Sequence, residues 1–413
     1  MSPSQVNKKY EDKKTLALIA LTMVVLTIII RIIFIFTYDT EPLAGGDGRA
    51  YWSYAQQIVQ GNGFRSELEP WLADRPPLYS YFLAAIFLLG GENESIVFIV
   101  QAILGGISAG FFMLCAVKLL GSRAGILSGL LYGFLPHFLI FTQQVLTEAI
   151  YIPIWVFLLG SLVLPKSNSK IPFWSSGIFL GLLSLIRREA LMPGAIITIV
   201  FLLLRFSVKK DWQKVILNLL VIFGIAGVVM APWLIRNTLV FGKPLMSSSG
   251  GYNFMVGNNP LVTGGYHQPP GDWSNQFKGL DELSRNDKAW ELSFDWIKKN
   301  PNDWLKLIPM KLKVLWGGAN NLILDWVDLV FIPLYILGFI RIIKKKPFWL
   351  EVLILFLIPI LTTTFVGAVF VGAWRYRQIV YPGLLILAGY GITHILEWIG
   401  AYKSRSLLQR ESA

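Results

Sequence analysis

The chain has 413 residues but only one cysteine, three histidines and 15% charged residues. A single cysteine excludes an intrachain disulfide, so the redox compartment cannot be read from it. Cys115 lies inside an apolar segment and reads as a packing residue. The histidines, His137, His267 and His394, are far apart, and no HExxH, CxxC or GxxxxGK[ST] run occurs, so zinc-hydrolase and P-loop chemistry have no motif to rest on. His137, directly after Pro136, reads as a packed core residue, with a proton relay as the alternative. No internal repeat or low-complexity tract is evident, which excludes solenoids, and the SSSGG run at 247–251 is too short for a domain linker.

Scarce charge leaves too little polar surface for a soluble globule of this size. With 54% hydrophobic residues and a mean hydropathy of +0.56, the chain belongs in a bilayer. The net charge of +12 comes in short clusters between apolar segments, which orient a membrane chain and offer no continuous face for nucleic acid. The first 14 residues, with Lys8, Lys9, Lys13 and Lys14, are too polar for a signal peptide, so the apolar run behind them is expected to be retained.

About 20 apolar residues cross the hydrocarbon as a helix. That length predicts ten spans, at 15–37, 95–117, 124–146, 149–164, 171–186, 190–204, 215–235, 322–343, 352–374 and 378–396. Ten spans put the N-terminus, Lys118 with Arg123, Lys166 with Lys170, the group Arg205, Lys209, Lys210 and Lys214, the group Arg341, Lys344, Lys345 and Lys346, and the tail with Lys403, Arg405 and Arg410 on one side. The positive-inside rule makes that side cytoplasmic, with both termini inside. The run from Pro77 to Leu89 is short for a crossing and reads as a juxtamembrane helix; counting it as a span would send the basic clusters outward. The expected organisation is a cytoplasmic start over 1–14, a membrane module over 15–235 with an outer loop at 38–94, an outer segment at 236–321, further spans over 322–400 and a cytoplasmic tail at 401–413.

The two outer segments are where chemistry is expected. Asp47, in GGDGRAYW, follows the first span, and Glu148, in LTEA, sits at the outer end of the third. A carboxylate in a low-dielectric pocket can take a proton from a hydroxyl, which makes Asp47 a candidate general base; it is equally suited to cap a helix beginning at Gly48, and position alone does not separate the two. Arginines end several spans on the outer side: Arg75, Arg187, Arg188, Arg236, Arg375 and Arg377. This reverses the positive-inside rule. Any one of them is explained by snorkelling or by pairing with Asp74 or Glu189, but the set is better explained by a phosphate at the outer surface. Arg31, deep in the first span, is expected to snorkel or pair within the bundle. Asp325 and Asp328, in DWVD, are expected to face water, and the Trp and Tyr at the outer ends fit an aromatic belt.

In order, GGDGRAYWSYA, DRPPLYSYFLA, a KLLGSRAG loop, LTEAIYIP, LIRREAL, APWLIRNTLVFGKPLMSSSGGYNFMVGNNP and WRYRQIVYP run from Gly45 to Pro382, within a likeness that extends from about Thr15. This order resembles the GT-C membrane glycosyltransferases, in particular the bacterial and archaeal enzymes related to protein O-mannosyltransferases and to lipid A aminoarabinose transferase. The resemblance implies an all-α polytopic GT-C fold with about ten transmembrane helices and juxtamembrane helices in the first outer loop. It implies that Asp47 is the catalytic aspartate, that Glu148 lies near the site, and that Arg75, Arg187, Arg236, Arg375 and Arg377 hold the donor phosphate. Family members often carry a second acid after the aspartate, whereas Gly48 and Arg49 follow here, which frees Arg49 to orient Asp47 or touch phosphate. Oligosaccharyltransferase relatives bind a metal through paired acids in the second outer loop; this chain offers only Glu148 there, so no essential metal or other cofactor is expected.

Nucleotide sugars stay in the cytoplasm and no soluble nucleotide-binding domain is evident, so an outward-facing transferase needs a donor on polyprenyl phosphate. The expected reaction moves that sugar to a glycan, lipid or protein hydroxyl at the outer face of the plasma (inner) membrane, with inversion. Tyr51 in the first loop and Tyr252, Asn253, Asn258 and Asn259 in the second are the substrate-loop candidates. The rival readings are a transporter or flippase of lipid-linked sugars, a repeat-unit polymerase, and a non-catalytic scaffold of a glycan-assembly complex.

Overall fold

The structure is a computed structural model that describes residues 13–38, 43, 46–68, 71–165, 173–207, 211–317, 322–344 and 349–411. Of the basic clusters above, Lys8, Lys9, Lys166, Lys170, Lys209, Lys210, Lys345 and Lys346 lie outside the described residues, as do the side chains of Lys403, Arg405 and Arg410.

Every expected span has a helical counterpart. The order runs α1 (Lys13–Thr37), α2 (Gly46–Val59), α3 (Leu78–Gly90), α4 (Glu94–Leu120), α5 (Ser122–Phe134), α6 (Pro136–Leu139), α7 (Glu148–Val163), α8 (Trp174–Ile186) and α9 (Leu191–Ser207). It continues with α10 (Trp212–Phe241), α11 (Gly250–Met255), α12 (Gly271–Asn275), α13 (Glu282–Lys299), α14 (Pro301–Trp316), α15 (Leu322–Lys344), α16 (Trp349–Val369) and α17 (Tyr381–Glu411). No strand occurs among the described residues. Among the described residues seven helices are long and apolar enough to cross a membrane, eight if one bent pair counts as a single span, and the chain is a multi-pass membrane protein. α7 and α8, both expected to cross, have only 16 and 13 residues. α3, read as juxtamembrane, also has 13, so length does not distinguish it from α8.

Sequence determines how closely these helices pack. α1 is mostly Leu, Ile and Val, and two of its polar residues, Thr27 and Arg31, are buried. A Cβ on Gly106 of α4 would lie 2.4 Å from Ile28 Cγ1 and 3.0 Å from the Val24 carbonyl oxygen; one on Gly110 would lie 2.5 Å from Val24 Cγ2 and 3.0 Å from the Ala20 oxygen. The small-xxx-small pair thus lets the two backbones touch, as small residues do where lipid supplies no hydrophobic drive between helices. Because higher numbers on α4 meet lower ones on α1, the two run antiparallel. At its start Asn93 caps α4, its Oδ1 accepting from Ser95 N at 2.9 Å. At its end Gly121, with φ of 88°, turns the chain directly into α5.

Two expected spans have different boundaries. The third, expected to be continuous over 124–146, breaks by 50° between Phe134 and Pro136, because proline disfavours helix in the residue before it. Residues past the break form α6 and a 3₁₀ turn, Ile140–Gln143. Arg31 donates to the Phe138 carbonyl at 3.0 Å and to the Thr142 hydroxyl, and Gln101 to the Thr142 carbonyl at 2.9 Å. The arginine in the first span therefore pairs within the bundle, satisfying backbone freed by the break. The ninth span ends at Val369 instead of 374; a 3₁₀ turn, Trp374–Ile379, then precedes α17 and carries both Arg375 and Arg377.

α11 to α14 fill the second outer segment, which is tied to the first loop. Glu282 accepts from Leu72 N at 2.7 Å, from Ala73 N at 2.9 Å and from the Ser248 hydroxyl, while Ser248 N donates to the Ala73 carbonyl at 2.7 Å. No local sequence pattern marks this Glu282 clasp.

Candidate active site

Asp47 lies inside the first turn of α2, which begins at Gly46, two residues earlier than a helix capped by Asp47 would. Its two oxygens go to guanidinium groups: Oδ1 accepts from Arg75 Nη1 at 2.7 Å and Oδ2 from Arg375 Nη2 at 2.6 Å. The capping reading therefore does not hold. Burial pushes the Asp47 carboxyl up, but Arg75 and Arg375 outweigh it and hold the group well below the usual carboxylate range. The Asp47 side chain remains 30% exposed and Arg375 29%, so both stay within reach of an incoming molecule.

Behind them sits Glu148, fully buried at the start of α7. Its Oε1 lies 2.6 Å from Arg187 Nη2 and 3.8 Å from Arg375 Nε, and Arg187 Nε donates to Thr147 Oγ1 at 2.8 Å. Arg187 also lies over the Tyr151 and Tyr376 rings, at 5.3 and 5.5 Å. Arg375 thus bridges the two carboxylates, from the 3₁₀ turn between α16 and α17. Desolvation would lower the Arg375 guanidinium, yet Glu148 and Asp47 beside it hold it well above its ordinary value. Arg75 also approaches Asp74, Nε to Oδ2 at 3.3 Å, and burial pushes the Asp74 carboxyl up. Five segments distant in sequence, α2, the Asp74–Pro76 corner, the α7 start, Arg187 at the end of α8 and the 374–379 turn, converge on one charge cluster.

Three predicted phosphate ligands are engaged elsewhere. Arg236 donates to the Leu72 carbonyl at 2.7 Å and the Phe64 carbonyl at 3.3 Å, anchoring the first loop. Arg377 faces the other side of the 3₁₀ turn, where it donates to Asp328 Oδ2 at 2.6 Å. Arg49 is exposed and holds the Leu43 carbonyl at 2.9 Å, away from Asp47. Arg188 reaches the second outer segment instead, donating to Ser247 Oγ at 2.9 Å.

The substrate-loop candidates divide similarly. Tyr51 is buried beneath Arg75, which lies 5.1 Å from its ring centre. Tyr252 reaches Gln268 Oε1 at 2.8 Å, and Asn253 is exposed beside it. Asn258 and Asn259 are fully buried. Asn258 donates to the Phe254 and Val369 carbonyls at 2.8 and 3.0 Å and accepts from Trp304 and Lys311; Asn259 donates to the Met255 and His267 carbonyls at 3.0 and 3.2 Å. Their amides are spent on holding the loop to the end of α16, so neither offers a polar group to a substrate.

The sequence reading missed a second cluster. Asp328, expected to face water, accepts from Arg377 and from the Tyr381 hydroxyl at 2.8 Å, and His137 Nε2 lies 3.3 Å from its Oδ1. It fixes the far side of the turn that presents Arg375. Among the described residues no three His, Cys, Asp or Glu side chains are grouped as metal ligands would be.

Residues 74–235, less than half the chain, match the family of dolichyl-phosphate-mannose-protein mannosyltransferases. No curated protein matches the sequence. Among solved structures the fold is similar to archaeal oligosaccharyltransferase AglB from Archaeoglobus fulgidus, in complex with an inhibitory peptide and a dolichol-phosphate, at 14% identity and TM-score 0.56, covering 94% of this chain and 52% of that one. It is also similar to ArnT from Cupriavidus metallidurans in the apo state, at 15% identity and TM-score 0.59, covering 91% and 60%, and to ArnT bound to undecaprenyl phosphate, at 14% and TM-score 0.53, covering 90% and 60%. The chain therefore spans between half and two thirds of the length of these structures. The class defined is the all-helical GT-C membrane fold. Within it, residues 74–235 carry the mannosyltransferase family match, and the chain as a whole shares its fold with AglB and ArnT.

Proposed function

We propose that the chain is a glycosyltransferase that moves a sugar from a polyprenyl phosphate to an acceptor hydroxyl at the outer face of the membrane. The observation that carries this reading is Asp47 held between Arg75 and Arg375, with Glu148 and Arg187 behind. Similarity to ArnT, solved with undecaprenyl phosphate, and to AglB, solved with dolichol-phosphate, supports a lipid phosphate as the donor's leaving group.

In this mechanism the donor phosphate enters beside Arg75 and Arg375. The guanidinium groups that face Asp47 then share their donors with phosphate, so Asp47 loses stabilisation and gains basicity as substrate binds. Asp47 takes the acceptor hydroxyl proton while that oxygen bonds the anomeric carbon. The bond from that carbon to the phosphate oxygen breaks on the opposite face, and its electron pair leaves on the phosphate. One displacement inverts the anomeric centre, and the guanidinium groups offset the growing phosphate charge. Glu148, too buried to meet the acceptor, is a positioning residue that orients Arg187 and Arg375.

The test supplies purified full-length protein with a panel of polyprenyl phosphosugars and measures release of polyprenyl phosphate. General-base catalysis is worth about 10²- to 10⁴-fold, so Asp47→Asn is expected to lose that much turnover. Equal turnover by the two proteins would remove Asp47 from the role.

A further inference from the structure

One cavity in the fold lies away from the Asp47 cluster. It has a volume of about 410 Å³ and is bordered by the turn from α4 into α5, the end of α15 and the middle of α17. From Gln101, beside the outer break, to Leu120, on the cavity wall, α4 rises about 28 Å, close to the hydrocarbon thickness of a bilayer. The cavity thus lies at the membrane face opposite Asp47, whichever way the chain is inserted.

Three cations surround it: Arg123, Arg341 and Lys344. Among the described residues no carboxylate forms an ion pair with any of them; the one acid on the wall, Glu397, pairs with His394 at 3.8 Å. Like charges from two separate elements, Arg123 on α5 and Arg341 with Lys344 on α15, are therefore gathered around one concavity, and no described carboxylate forms an ion pair with them. Gly121, Ser122, Arg123 and Ala124 also line it, and they are the start of α5, a 13-residue helix with no side-chain cap on its first N–H groups. Ser122, Thr393 and Tyr390 add hydroxyls to the wall. Basic residues at a span end need only follow the positive-inside rule to be explained, but that rule does not call for a polar cavity between them.

We propose that this cavity binds the phosphate group of an anionic membrane lipid. Paired guanidinium and ammonium groups at a membrane interface, with free N–H groups beside them, match a lipid phosphate in charge and in donor geometry. The headgroup sits among Arg123, Arg341 and Lys344, while the acyl chains lie along the lipid-facing side of α15, where Ile332, Ile336 and Ile340 are exposed. This site is separate from the donor site and does not depend on the proposed reaction.

The experiment is native mass spectrometry of the full-length protein released from micelles containing phosphatidylglycerol or phosphatidylcholine, with inorganic phosphate as a soluble competitor. Wild type is expected to retain phosphatidylglycerol over phosphatidylcholine. The triple variant Arg123→Gln, Arg341→Gln, Lys344→Gln is expected to lose at least about tenfold of that retention, since each cation near an anionic lipid adds attraction. The charge-keeping pair Arg123→Lys, Arg341→Lys should retain it, which separates charge from folding. Displacement by millimolar phosphate would support a phosphate site but overturn lipid as its source. Equal phosphatidylglycerol retention by wild type and the triple variant would overturn the proposal.

Discussion

Asp47 sits between two guanidinium groups, Arg75 at 2.7 Å and Arg375 at 2.6 Å, so its basicity follows what else those arginines bind. The aspartate in its glycine-bounded turn, Glu148 and the arginines at span ends stand out in the sequence because carboxylates and guanidiniums are costly beside a membrane unless they pair or work. Which arginines share a partner was not legible. Position at a span end fixes depth but not azimuth, and Arg375 and Arg377, two residues apart on a tight turn, point to different carboxylates. Because Arg75 and Arg375 lower the Asp47 pKa, the folded protein gains stability from its ionisation above the ordinary carboxylate value, and loses it only as pH falls through the lowered one. Arg375→Gln leaves desolvation less opposed, so the acid limb of kcat/KM is expected to move to higher pH than in wild type. An unchanged limb would show that another group titrates there.

At the scale of elements, the apolar runs made the long helices legible, while the breaks that place functional groups were not. The Pro136 break and the 374–379 turn use ordinary residues whose freed backbone is satisfied by distant side chains, Arg31 and Gln101 at the first break. The α1–α4 contact is expected to fail under Gly106→Val, because the new side chain meets the Val24 backbone as well as Ile28. A clear drop in melting temperature of the purified protein would bear this out; an unchanged one would mean that the helices can separate freely. Lys311 of α14 offers a pH test. It is fully buried, donates to Asn258 Oδ1 at 2.8 Å, and burial pushes its ammonium down from 10.5 to about 7. Between these values the unfolded chain binds more protons than the folded one, so this lysine makes stability rise with pH. Lys311→Met is expected to flatten the melting temperature between about pH 7 and 10, and a slope equal to wild type would assign that dependence to other groups.

For the whole molecule, the basic clusters and apolar runs gave the membrane class, and the order of motifs gave the GT-C likeness. The joining of the two outer segments through Glu282, and the cavity at the other end, depend on contacts that no local pattern reports. If the Asp47 face is the outer one, a cysteine replacing exposed Asn253 will react with a membrane-impermeant maleimide on intact cells, whereas one replacing Lys344 will react only after permeabilisation. The reverse pattern would invert the chain. Cys115 is buried and is expected to stay unlabelled in both.

The most direct measurement is an experimental structure of the full-length protein with a polyprenyl phosphate bound. The account expects the phosphate within salt-bridge distance of Arg75 and Arg375, with Asp47 beside it. A phosphate bound elsewhere, with the Asp47 ion pairs intact, would contradict it.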